Sequence, residues 1–298
     1  MERITYKDGS IYEGDVVGGK RHGKGKLTWP SGSVYEGDFV DDKRIGNGKY
    51  VWSNGDIYEG EFKENKLWGV GKYTWANGNV YDGDFVEDKR TGKGRFIWTN
   101  GDIYIGDFSE GIISGIGRYL WKNGDIYDGD FIDNNRTGKG RFIWASGTVY
   151  IGDFVKGERT GKGRIVWTNG NTYDGDFVNG EKEGTGRSTW INGDAYEGDY
   201  KGGKLSGKGK YTWVNGNVYV GDFVDDKRTG KGTFTWATGD SYDGEFVEGI
   251  IQGWGKYKFK NGVTFKGEFS NGNFYTGILI DPNGNITEEY KNGEKQGE

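Results

Sequence analysis

The chain has 298 residues, with 59 glycines, two prolines, no cysteine and a net charge of −5 from 45 acids and 40 bases. The lack of cysteine excludes disulfides, thiolate metal sites and cysteine nucleophiles, and the charge balance gives no overall pull toward nucleic acid or anionic lipid. Twelve Trp, 20 Tyr and 16 Phe exclude the disorder that so much glycine would otherwise suggest. The opening Met1 to Tyr6 has no apolar run of a secretory leader, and no stretch approaches the ~18 apolar residues of a membrane helix, so a cytoplasmic protein is expected.

In chain order, residues 1–11 read as a half-repeat that caps the N-terminal end, with Tyr6 in a slot later held by Trp and Gly9 at a turn. From Tyr12 the chain is periodic. Tyrosine recurs every 23 residues from Tyr12 to Tyr242, and Phe265 takes the next slot. Tryptophan recurs at the same step from Trp29 to Trp236, then Phe259, and a Gly-x-Gly pair runs with it from Gly23/Gly25 to Gly253/Gly255. Three series locked in phase define eleven repeats over residues 12–264. A longer period of 138 residues, six repeats, carries Lys66-Leu67 to Lys204-Leu205 and Gly111-Ile112-Ile113 to Gly249-Ile250-Ile251, which indicates duplication of a six-repeat block.

The segment from Gly46 to Phe62 shows what one repeat becomes. Two alternating runs flank Ser53-Asn54-Gly55, a hairpin signature. A two-residue loop would send Tyr58 to the face opposite Trp52. A three-residue loop with Gly55 in the left-handed region pairs Tyr50 with Tyr58 and Gly48 with Gly60 and keeps Tyr, Trp, Phe and glycine on one face. The segment from Lys63 to Trp68 reads as a six-residue polar loop to the next hairpin. The expected fold is therefore all-β: an elongated single-layer antiparallel meander, a twisted ribbon of twenty-two strands about 105 Å long at ~4.8 Å per strand, turning about once at roughly 20° per strand. On the other face Lys49 is expected opposite Glu59, and Lys72 opposite Asp82. Residues 265–298 form a divergent C-terminal cap: Gly277 stands without its partner glycine, and Pro282-Asn283-Gly284 is a turn one residue early.

The unit Tyr-x-Gly-x-Phe, a short polar segment, Gly-x-Gly, then an aromatic residue and a turn glycine resembles the MORN repeat, in phase over about residues 12–270. The resemblance implies a single-layer antiparallel sheet with a groove and a role in protein–protein assembly, sometimes as a homodimer, often near membranes or cytoskeleton. Direct phospholipid binding is a further property proposed for such proteins.

No catalytic constellation, metal site or cofactor is expected. His22, the only histidine, has no thiol or second imidazole to join it and reads as a solvated loop residue. Gly92-Lys93-Gly94 lacks the Ser/Thr and helix of a phosphate loop. The candidate site is the aromatic face, because a single layer has nothing to cover it and exposed apolar area marks partner surfaces. Its residues are Tyr81, Phe85, Phe96, Tyr104, Phe108, Tyr127, Phe131, Phe142, Tyr150, Phe154, Tyr173 and Phe177, with a notch at Ser188 where other repeats carry a ring. The expected occupant is a helix or extended peptide of a protein partner, or a second copy of the chain. The alternative is an anionic phospholipid, and the loops with Lys89, Arg90, Ile112, Ile113, Lys227, Arg228, Ile250 and Ile251 are expected to meet either that lipid or a partner, the isoleucines a partner or a second copy. A glycan stacked on the rings is a third reading, and nucleic acid is not expected.

Overall fold

Alternation of large and small side chains makes strands here, and turn chemistry sets their register. The computed structural model describes residues 1–297, which contain twenty-seven β-strands. They fall into two units, residues 1–146 with 154–157, and residues 147–153 with 158–297. Within each unit consecutive strands pair antiparallel as a meander of hairpins. Seven-residue strands such as Val34–Val40 alternate with nine-residue strands such as Lys43–Val51. The expected all-β hairpin-repeat class is the one observed.

The hairpin turn follows the expected register. Tyr50 pairs with Tyr58, Gly48 with Gly60 and Lys49 with Glu59. Gly55 has φ +94° and donates its N–H to the Trp52 carbonyl, closing a three-residue loop. In most hairpins the residue after the turn glycine then ties repeats together. Asp56 accepts the Ala76 N–H at 2.8 Å and the Tyr73 hydroxyl at 2.8 Å, both from the following hairpin.

The other connection differs from expectation. The chain turns on two residues only, Asp41-Asp42 or Glu64-Asn65, with positive φ at both. This is the tight turn whose twist suits a hairpin. The rest of the supposed loop is strand, so Lys43 and Arg44 are ladder residues paired with Val40 and Phe39. His22 likewise lies in the strand Lys20–Thr28, with its Nδ1 buried and unpartnered, and is not a loop residue.

The slack is taken up by a bulge. Gly37 pairs with Gly48 but Asp38 with Ile45, leaving Gly46 and Asn47 unopposed. The first glycine of each Gly-x-Gly pair serves this bulge. Gly92 has φ +54°, and a Cβ there would overlap the Asp84 carboxylate, which accepts the Lys93 N–H at 2.9 Å. At the C-terminal end Thr276 replaces that glycine and only Tyr275 is left unopposed. One bulge residue fewer is why the Pro282-Asn283-Gly284 turn arrives early.

Candidate functional site

The aromatic face is a closed layer. Each repeat's tyrosine ring lies over a glycine pair; a Cβ on Gly94 would strike the Tyr81 ring, and one on Gly83 the Gly94 backbone and the Tyr81 hydroxyl. The Tyr58 hydroxyl donates to the Glu61 carbonyl at 2.9 Å, so the buried phenol is satisfied. Most of these tyrosines meet two aromatic rings edge-on: Tyr81 meets Phe85 at 5.1 Å and Phe108, from the next repeat, at 5.0 Å. Such pairs contribute about 0.5–1.5 kcal/mol each beyond burial.

A side chain the sequence placed in a loop covers this layer. Arg90 lies over Trp75, Tyr81, Phe96 and Phe108, with its guanidinium carbon 5.0–5.7 Å from the four ring centres, and it donates to the Gly111 carbonyl. Arg228 repeats this over Trp213, Tyr219, Phe234 and Phe246. Burial pushes both guanidiniums below their ordinary pKa. Leu67, Ile113 and Leu205 occupy the same slot and are buried. Rings under a cationic or aliphatic cover explain how a single layer hides its core.

The consequence for the expected groove is direct. Tyr81, Tyr104, Tyr127, Tyr150 and Tyr173 are 0% exposed, and Phe85, Phe108, Phe131, Phe154 and Phe177 are 2–4% exposed. Phe96 and Phe142 are buried as well. These rings are the interior of the protein and offer no open channel. Ser188 leaves no notch either, because Tyr200 stands where other repeats have Phe and its hydroxyl donates to Ser188 Oγ at 2.6 Å. Burial raises the Tyr200 phenol to about 12.

The expected lipid-facing loops are also rearranged. Arg90 and Arg228 are part of the cover, and Lys89 and Lys227 are paired with Glu110 and Glu248. Ile113 is buried and Ile251 half-buried in the cover slot, while Ile112 is half-buried and Ile250 exposed beside the turns.

Among the described residues, two extended surfaces are open besides a pocket of about 350 Å³ at the N-terminal end of the aromatic face, between Tyr6, Arg21, Leu27, Trp29 and Arg44. The first is a trough on the polar face, about 700 Å³ in the first unit, between rows of side chains that flank the glycine pairs. Lys24, Lys26, Glu36, Lys49 and Glu59 line it over a backbone floor of Gly25, Gly37, Gly48 and Gly60. Its walls are cross-strand ion pairs, Lys24 with Asp38 at 2.7 Å and Lys49 with Glu59 at 2.6 Å. A trough of about 720 Å³ lies in the second unit between Lys208, Lys210, Lys231 and Asp243, with Val220 on its wall. The signal for it was present in the sequence, as charged residues beside most of the paired glycines, such as Glu36, Lys49 and Glu59 beside Gly37, Gly48 and Gly60.

The second open surface is the half-buried tryptophan row. In the first unit its rings stack continuously with the neighbouring aromatic row, from Trp29 through Tyr50, Trp52, Tyr73 and Trp75 to Phe142. In the second unit Ile165 and Ser188 hold the positions between tryptophans, and the stack resumes only at Trp190.

Among the described residues no three His, Cys, Asp or Glu are grouped to hold a metal ion, and no helix is long and apolar enough to cross a membrane. No curated protein matches the chain. Solved structures that the chain matches include the TCP10c domain of Drosophila melanogaster Sas-4, with 16% identity and TM-score 0.31 over 57% of this chain and 95% of that one. The Sas-4 TCP domain in complex with a proline-rich motif of Ana2 gives 14%, 0.26, 65% and 86%. The TCP10 domain of Danio rerio CPAP, in complex with a peptide of STIL, gives 10%, 0.22, 97% and 98%. The MORN repeat model matches eleven consecutive segments from 12–34 to 242–264. Those segments carry the tyrosine, the glycine pair and the tryptophan whose packing has just been described, and the chain belongs to the MORN repeat family.

Proposed function

We propose that the chain is a non-catalytic scaffold that holds a segment of a partner protein along the polar-face trough. The observation that supports this most is the trough itself: a surface of about 700 Å³ with a flat backbone floor and walls of alternating sign. A helix or extended peptide of mixed charge fits such walls, since complementary charges fix register more than they add affinity. The rings expected to bind are used up in holding the sheet together, so partner capture by the tyrosine row has no free surface to act through.

The test is affinity capture with the immobilised chain, comparing wild type with the charge reversal Lys26→Glu/Lys49→Glu. Loss of the captured protein with unchanged near-ultraviolet circular dichroism supports the trough. Capture unaffected by the reversal contradicts it. Retention on anionic but not neutral vesicles would move the function to lipid, and a concentration-dependent mass increase without partner would move it to self-association.

A further inference from the structure

We infer that the tryptophan row of the first unit is a docking rail for a proline-rich segment in the polyproline II conformation. This surface is separate from the trough, and two independent features point to the same occupant.

The first feature is pitch. Trp52 reaches Trp75 through Tyr73 in steps of 5.3 and 4.5 Å, so successive tryptophans stand at most 9.8 Å apart. The next rung, Trp75 to Trp98 through Phe96, has the same steps of 5.3 and 4.5 Å. Two strand spacings give about 9.6 Å, which is why the rungs are regular. A polyproline II helix turns once in three residues and advances about 9.3 Å in doing so. At the two-strand spacing of about 9.6 Å, one proline per turn meets one tryptophan per repeat with a mismatch of about 0.3 Å per rung. Other chain conformations do not keep step. Seven residues of α-helix advance about 10.5 Å, and three residues of an extended strand, about 10 Å, return to the opposite face.

The second feature is a row of unused donors. Among the described residues the indole N–H groups of Trp29, Trp52, Trp75, Trp98 and Trp121 make no hydrogen bond within the chain, and none is buried without a partner. They are unpaired groups on half-buried rings. A polyproline II helix has no internal hydrogen bonds, so every one of its carbonyls is free to accept. Its prolines supply a rigid apolar surface already ordered before binding. A rail of half-buried rings with unpaired N–H groups at matching pitch is complementary to that helix in both apolar contact and hydrogen bonding. The second unit supplies its own contrast, because Ile165 and Ser188 break the stack on either side of Trp167.

The experiment uses the full chain and a synthetic peptide of five Pro-Ala-Pro triplets, followed by tryptophan emission and calorimetry. Saturable binding of this peptide is expected, with at least tenfold weaker binding of its all-D enantiomer and of a peptide with proline at every fourth position. Trp75→Phe/Trp98→Phe keeps the stack but removes two donors and should weaken binding about tenfold. The trough reversal Lys26→Glu/Lys49→Glu should leave peptide affinity unchanged. The inference is overturned if the L and D peptides bind alike, if the Phe double variant binds as wild type, if the trough reversal abolishes binding, or if a cello-oligosaccharide but not the proline peptide perturbs the tryptophans.

Discussion

The repeat around Tyr81 and the segment from Tyr173 to Tyr200 solve the same packing problem with different side chains. In the first, Arg90 covers Phe96 and Phe108. In the second, Lys182 stands in the Arg slot 5.3 and 5.0 Å from the Tyr173 and Tyr200 rings, and Ser188 replaces the ring of Phe96. The oxygen that Tyr200 adds reaches back into the space that Ser188 vacates. What the two segments keep is a filled layer in which the buried hydroxyls are satisfied, and no single side chain is required for that.

The largest expected effect comes from what both segments share, the buried tyrosine row. Burial lifts Tyr127, Tyr150, Tyr219 and Tyr242 to about 12 from an ordinary 10.0. The folded state thus holds protons that the unfolded chain releases above pH ~10. Stability is fully present below pH ~10 and falls as pH rises through ~12. Circular dichroism and phenolate absorbance should change together in one steep alkaline transition. Phenols titrating near their ordinary value in an intact sheet would contradict the burial.

Next in size is the glycine beneath each ring. Gly94→Ala and Gly186→Ala should each cost about 3 kcal/mol in chemical denaturation, because the Tyr81 or Tyr173 ring must move to admit a methyl group. A markedly smaller loss in the second segment would mean that its layer is looser than its packing indicates. The Ser188–Tyr200 pair sharpens the same comparison. Tyr200→Phe leaves the buried Ser188 hydroxyl without its donor and should cost about 1–2 kcal/mol. Ser188→Phe alone crowds Tyr200, whereas the double change recreates the common repeat, so a coupling energy of about 2 kcal/mol is expected from the cycle. Additive single effects would remove the compensation. The smallest effect belongs to the trough wall. Breaking the exposed Lys49–Glu59 pair by Lys49→Ala should alter stability by less than about 1 kcal/mol. A larger loss would make the trough walls a structural feature of the sheet.

Much of the fold was legible because the period is uninterrupted and parity is strict. The left-handed Gly55, the Tyr50–Tyr58 register and the Lys49–Glu59 pairing all follow from keeping the large rings on one face. The two-residue turns were hidden because non-glycine residues, Asp41-Asp42 and Glu64-Asn65, adopt left-handed φ there. Asp, Asn and Gly recurring at those two positions was the available cue. The bulge was hidden for a related reason: Gly46 and Asn47 lengthen one strand without changing which rings share a face. The site was less legible. A polar-looking Asp-Lys-Arg cluster gives no hint that its arginine lies over four rings, and that cover closes the groove a bare single layer would leave.

Hydroxyl-radical footprinting with residue-level mass spectrometry tests that closure most directly, since tyrosine and tryptophan react readily and report on adjacent rows of one face. Tyr81, Tyr104 and Tyr127 should be protected as long as the chain is folded, while Trp52, Trp75 and Trp98 in the same molecules are oxidised. Equal oxidation of the two rows would show an open aromatic channel and contradict a closed tyrosine layer.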